Sequence, residues 1–236
     1  MGNVQRLIAF DLDGTLIDSR RDLADSANDL IIQLGGTPLP EETIGAMVGE
    51  GASLLVSRAM TAAGLAEPPD SVAKFLEFYD ARLLNHTRPY PGMVDVVRLA
   101  REHARVALLT NKPRQPSERI LEGLGLRTLF DEVVGGDGPL PRKPDPGALR
   151  ALMNTAGAEP ASTLLVGDSP IDYRTAVNGG VRCCLVSFGF GFRNFGPGQP
   201  GGDAAVASDA AELAEIVRRF ALSPARRPRA RSLRQA

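Results

Sequence analysis

A parallel α/β sheet with helices on both faces, interrupted after its first strand by a helical insert, is the fold this sequence predicts. Three observations predict it. From residue 93 onward, short apolar strands alternate with helical patterns of about ten to fifteen residues. Residues 41–84 keep helical spacing throughout, with no strand pattern among them. The polar residues just past the apolar strands form a chemically coherent set, as expected where ligands bind at the carboxyl ends of parallel strands.

The elements follow in order. "VQRLIAF", 4–10, reads as a buried strand that runs into Asp11. Leu23, Ala27, Leu30, Ile31 and Leu34 recur at helical spacing over 22–34, and "GGTPLP", 35–40, breaks that helix. Ala52, Leu55, Val56, Ala59, Met60 and Ala63 form one helical face; Val72, Phe75, Leu76, Tyr79 and Leu83 form another. "RPYPG", 88–92, reads as a turn or linker. A helix over 93–104 then leads into the strand "VALLT", 106–110, and a helix over 117–124 is closed by Gly125. "EVVGG" is a weak strand, and a helix over 146–156 ends at Gly157. The strand "TLLVG", 163–167, precedes a helix over 171–178; "RCCLV", 182–186, is the next strand. "AAVAS" is an edge strand, and a helix over 209–221 closes the pattern.

Composition narrows the class. At 236 residues the chain holds one large domain, or a core with a smaller insert. Hydrophobic residues make up 43% and charged residues 23%, as in a globular protein. No apolar run approaches the roughly 18 residues that span a membrane. The N-terminus lacks a basic segment followed by an apolar one, so no signal peptide is expected and the location expected is cytoplasmic. The two cysteines, Cys183 and Cys184, are neighbours on a strand, point to opposite faces, and are expected to be free and buried. Net charge is −1, yet 223–236 carries five arginines and no acid. The rest of the chain is therefore acidic, and no nucleic-acid partner is expected. The tail, rich in Pro, Ser and Arg, is expected to be disordered.

The strand ends carry the chemistry. The first strand ends in Asp11-Leu12-Asp13-Gly14-Thr15, "VALLT" ends in Thr110-Asn111-Lys112, and "TLLVG" ends in Gly167-Asp168-Ser169 with Asp172 four residues beyond Asp168. A loop adds Lys143 in "RKPDP". Carboxylates gathered at one edge repel one another and need a cation; oxygen-only ligands favour a hard ion, Mg²⁺ first. Lys143 and Thr110 suit phosphoryl oxygens. One Asp is free to attack phosphorus, and a second, two residues along, to protonate the leaving oxygen. Gly14 is expected to let the chain turn away so that a substrate can approach. Lysine is scarce (Lys74, Lys112 and Lys143), and two of the three fall in these segments.

In "DLDGT" (11–15), "LLTN" (108–111), "RKPDP" (142–146) and "GDSPID" (167–172), the sequence resembles the haloacid dehalogenase superfamily on its phosphatase branch. The resemblance covers about residues 4–222. It implies a Rossmann-like core over 1–18 and 89–222 and an α-helical cap over 19–88, followed by the basic tail 223–236. It also implies Asp11 as nucleophile, Asp13 as general acid and base, and Thr110, Asn111 and Lys143 around the phosphate. Mg²⁺ would be held by Asp11, the main-chain carbonyl of Asp13 and Asp168, with Asp172 supporting the metal site or the lysine. An acid at position 13 separates phosphatases from dehalogenases, and Thr15 separates them from many sugar-phosphate mutases. "MVGEGASLLVSRAM" (47–60), "TNKP" (110–113) and "SFGFGFRN" (187–194) are similar to the phosphoglycolate phosphatase subgroup, which makes 2-phosphoglycolate the first expected substrate. The alternatives are another small ester (a sugar phosphate or N-acetylmuramate 6-phosphate), pyrophosphate, or a phosphosugar mutase activity. Glu50 and Arg58 are the expected cap contacts, with Arg58 facing a substrate carboxylate or, equally, solvent; Lys112 is either an entrance residue or a plain helix start. A small molecule is the expected partner, and the assembly expected is a monomer or homodimer.

Overall fold

A computed structural model describes residues 5–196 and 202–223. The tail from residue 224 onward lies outside the described residues, so the expectation of disorder there has no counterpart in the structure.

Strand β1 (Gln5–Phe10) runs into the Asp11 turn and is followed by β2 (Ile17–Asp18). Four helices come next: α1 (Arg20–Gln33), α2 (Glu41–Gly45), α3 (Ala52–Ala62) and α4 (Ser71–Asp80). The chain returns through β3 (Arg88–Pro89) and then alternates. It forms α5 (Met93–His103), β4 (Arg105–Leu109), α6 (Arg114–Gly123), β5 (Glu132–Val134), α7 (Gly147–Ala156) and β6 (Ala158–Gly167). Helix α8 (Pro170–Gly179), β7 (Arg182–Val186), β8 (Ala205–Ala207) and α9 (Ala210–Leu222) complete it. Six strands form a sheet in the order β5-β4-β1-β6-β7-β8, with every pairing parallel. No helix among the described residues is long and apolar enough to cross a membrane.

The strands are apolar without interruption because both faces are covered. Ile8, Phe10, Val106, Leu108, Leu164 and Val166 point into one core layer, which continues into the helical insert. Leu7, Ala9, Ala107, Leu109 and Leu165 point into the other, under α7 and α8. Cys184 joins the first layer and Cys183 the second, and both are free, as strand geometry requires of neighbours.

Two elements differ from the sequence reading. Arg88–Pro89 is not simply a linker: it pairs antiparallel with β2, Ile17 against Pro89 and Asp18 against Arg88. A two-residue strand has no period to detect, and its partner lies far away in sequence. Strand β6 starts at Ala158, five residues before the expected start. Its register shifts between Gln5 and Leu7 of β1, which accommodates the loop-like "EPAS" stretch.

The ribbon is reinforced by Asp22, a fully buried carboxylate in the first turn of α1. It accepts hydrogen bonds from the backbone N–H of His86 and of Thr87 (3.0 and 2.8 Å) and from the Thr87 hydroxyl (2.7 Å). One side chain thus staples the start of the insert to its end. Asp22→Ala leaves those buried donors without an acceptor, and we expect a loss of roughly 2–4 kcal/mol in urea unfolding at unchanged slope. A loss below about 0.5 kcal/mol, the range of ordinary surface substitutions, would remove the staple from the account.

Candidate active site

Strands β4, β1 and β6 are neighbours in the sheet, so the residues that follow each of them meet at one edge. The ladder itself carries Asp11 there: its N–H donates to the Val166 carbonyl at 2.9 Å, one residue past the end of β1. Lys143 arrives from the loop before α7 and is buried. Its Nζ lies 2.8 Å from Asp11 Oδ1 and 2.6 Å from Asp172 Oδ1. Asp172 is fixed by its helix. In a capping box at the start of α8, its Oδ2 accepts from the Ser169 hydroxyl at 2.6 Å and from the Ser169 N–H at 3.2 Å. One carboxylate therefore closes a helix end and aims a lysine.

Asp168 completes the group from the end of β6. Its Oδ2 accepts from the Gly191 N–H at 2.8 Å, and the Thr15 hydroxyl lies 3.4 Å from its Oδ1. Space around it is scarce. A Cβ on Gly14, whose φ is +85°, would sit 2.0 Å from Asp168 Oδ2; one on Gly189 would sit 2.2 Å from the Gly14 carbonyl oxygen. Gly14 thus turns the chain at a positive φ, as expected, and its bare backbone also admits Asp168. The "FGFG" pattern of residues 188–191 has the same cause, for backbone here passes against a buried carboxylate.

Asp13 faces a different partner. Its two oxygens accept from Lys112 Nζ at 3.1 and 3.0 Å, and Oδ1 also accepts from the Ser19 hydroxyl at 2.6 Å. Lys112 is buried, and its ammonium lies 4.3 Å from the centre of the Tyr79 ring. Of the two expectations for it, a residue lining the entrance fits better than a plain helix start, for it lines the cavity over Asp11 and Asp13. The scarcity of lysine in the chain was the available signal.

Burial sets the titration of these groups. It pushes Asp11 up to about 6, outweighing the pull of Lys143. Burial first, and the charges of Asp172 and Asp11 next, push Asp168 well above the ordinary carboxylate range. Burial works against the charge of Lys143, yet Asp11 and Asp172 overcome it and hold its pKa above the usual lysine value. The same holds for Lys112, through Asp13 and Tyr79.

The expected residues divide. Asp11, Lys143, Asp168 and Asp172 come together, and Thr110 is buried at the adjoining strand end. Asn111 spends its amide N–H groups on the carbonyls of Gly49 and Lys143, both at 2.9 Å, so it ties the helical insert to the lysine loop. Glu50 and Arg58 are not brought to Asp11. They pair with each other and line a separate cleft beside Ser169, Tyr173 and Asn194. Helix α3 turns Arg58 away from the face that Leu55, Val56 and Ala59 bury. Over Asp11 and Asp13 lies a cavity of about 50 Å³, roofed by Leu23, Val48, Leu55, Phe75, Leu76 and Tyr79.

A divalent cation fits this donor set. One oxygen from each of Asp11, Asp168 and Asp172 lies within 4.8 Å of the others, all three residues are buried, and all ligand atoms are hard oxygens. Burial raises Asp11 and Asp168 against losing their protons, and a divalent ion would offset the charge of the ionised cluster. The Asp13 carboxylate stands apart from these three and pairs with Lys112.

Several known proteins are similar to this chain. A phosphoglycolate phosphatase of Rhodospirillum rubrum is 41% identical over 194 residues, covering 78% of this chain and 80% of that protein. A phosphoglycolate phosphatase of Pseudomonas putida is 39% identical over 196 residues, 80% of this chain and 72% of that one. Among solved structures, a predicted phosphoglycolate phosphatase from Haemophilus somnus 129PT superposes with a TM-score of 0.83 at 30% identity, covering 90% of this chain and 97% of its own. The family described as haloacid dehalogenase-like hydrolase matches residues 8–186, from the first buried strand to the end of β7, and this chain belongs to it.

Proposed function

We propose that the protein is a Mg²⁺-dependent phosphatase of small phosphate monoesters, and that it converts 2-phosphoglycolate to glycolate and phosphate. The observation that carries the proposal is the buried group at the end of β1: Asp11 against Lys143, with Asp168 and Asp172 beside it. The relatives named above favour the same ester.

In this reading Asp11 is the nucleophile. One of its oxygens bonds to phosphorus as the bond to the leaving oxygen breaks, and Asp13 gives that oxygen a proton. Asp13 then accepts a proton from water, the water oxygen bonds to phosphorus, and the aspartyl-phosphate bond breaks. Phosphate leaves and both carboxyl groups return to their starting states. Lys143 offsets charge on the phosphoryl oxygens and Thr110 offers them its hydroxyl. Asn111 keeps the Lys143 loop and the Gly49 segment in register. Asp11, Asp168 and the Asp13 carbonyl would hold Mg²⁺, with Asp172 supporting the site through Lys143. Bound there, the ion supplies Lewis-acid polarisation of a phosphoryl oxygen. Residues 19–88 act as a cap on a core formed by 1–18 and 89–222. The cap's apolar roof keeps water from the reacting atoms and favours a small ester.

Phosphate release from 2-phosphoglycolate with Mg²⁺ tests the proposal. We expect turnover of about 1 per second or faster, no detectable turnover for Asp11→Asn, and a fall in kcat of about 10²–10⁴-fold for Asp13→Asn. If Asp11→Asn keeps activity within about tenfold of the native protein, Asp11 is not the nucleophile.

The metal site has its own readout. A carboxyl raised to about 6 makes the cation-free fold lose stability as pH climbs from the ordinary carboxylate range to that value. Mg²⁺ must displace the proton, so it binds weakly below about pH 6. The rise in Tm on adding Mg²⁺ is therefore expected to be larger at about pH 7.5 than at about pH 5. An equal rise at both values would place the ion elsewhere.

A further inference from the structure

2-Phosphoglycolate carries a carboxylate beyond the ester oxygen, and that charge needs a partner inside a cavity with an apolar roof. Among the described residues that line the cavity, the charged ones are Asp11, Asp13 and Lys112. Lys143 faces Asp11 and Asp172 instead, and Arg58 belongs to a different cleft. Lys112 is thus the cation available to the leaving group.

We propose that Lys112 and Tyr79 form the subsite for a negatively charged leaving group, with the ammonium and the phenol hydroxyl both donating to its carboxylate. The inference rests on the phosphatase reading and specifies what that site selects. Two features support it. Tyr79 is buried, lines the cavity, and its hydroxyl has no hydrogen-bond partner among the described residues. A buried hydroxyl without a partner is costly, and an incoming carboxylate supplies the missing acceptor. Lys112 has three N–H donors, directs its ammonium to both oxygens of Asp13, and rests on the Tyr79 ring, which fixes its reach.

The subsite also sets the length of the ester. Lys112 Nζ is 3.0 Å from an oxygen of Asp13, the group assigned to protonate the leaving oxygen. A carboxylate one carbon from that oxygen spans the two residues. A neutral alcohol leaves the Tyr79 hydroxyl without the acceptor it lacks and gives the Lys112 ammonium no anion beyond Asp13, and a cationic one meets the ammonium. Sites built around buried polar groups discriminate against ligands that cannot pair them.

The test compares kcat/KM for 2-phosphoglycolate and for ethyl phosphate, which has a methyl group in place of the carboxylate. The Mg²⁺-loaded native protein, Lys112→Met and Tyr79→Phe are each measured on both. Any effect of losing the Asp13 partner acts on both esters and cancels in their ratio. We expect the native protein to prefer the carboxylate ester, Lys112→Met to lower that preference roughly 10- to 100-fold, and Tyr79→Phe to lower it about 3- to 10-fold. If Lys112→Met slows both esters equally, the lysine serves Asp13 alone and the inference is overturned. Should Lys112→Met fail to fold, the ratio for Tyr79→Phe decides, and an unchanged ratio overturns the inference. If the native protein hydrolyses the two esters equally well, the inference fails while the phosphatase reading stands. If it hydrolyses neither, both fail.

Discussion

The ammonium of Lys143, 2.8 Å from Asp11 and 2.6 Å from Asp172, is the contact on which the rest of the site depends. Parallel strands carry the residues after β1 and β6 to the same edge, and these include acids that would otherwise repel one another out of water. A lysine between two of them makes the arrangement tolerable, and it must itself be held. The capping box of α8 does that, since the carboxylate that closes the helix end also receives the ammonium. Removing either partner would leave an uncompensated buried charge, which is far more costly than losing a surface pair.

Close packing follows from the same constraint. Asp168 is admitted only because Gly14, Gly189 and Gly191 present bare backbone to it. The loop over 187–194 therefore belongs to the acidic cluster although it lies well beyond Asp172, the cluster's last acid in sequence. The helical insert is tied to this edge from several directions. Asp22 clasps its two ends, Asn111 holds the Gly49 carbonyl, and Asn194 donates to the Ala46 carbonyl at 3.1 Å. Its apolar face then roofs the carboxylates, lowering the local dielectric and strengthening every charge interaction beneath it.

Lys112 and Arg58 illustrate how context sorts similar residues. Both are basic and both lie in segments similar to one phosphatase subgroup. Lys112 lies three residues past the buried strand β4, and its side chain is buried where Asp13 and the Tyr79 ring receive it. Arg58 lies on an amphipathic helix, on the side opposite its buried face, and pairs with Glu50 near solvent.

Periodicity by itself determined the alternation of strands and helices and the helical insert, because burial on two faces of a sheet or one face of a helix leaves a repeat of fixed length in the chain. The strand-end rule similarly marked Asp11, Thr110 and Asp168, since a turn follows each strand directly. Asp172 and Lys143 were legible as members of the group, with Asp172 expected to support either the metal site or the lysine; the 2.6 Å contact between them is a matter of tertiary structure. What only the tertiary structure decided are pairings between distant segments: Ile17 with Pro89, Asp22 with Thr87, Asp13 with Lys112, Asp168 with the Gly191 N–H. Such contacts depend on how separate elements approach in space, and no local pattern of residues encodes that distance.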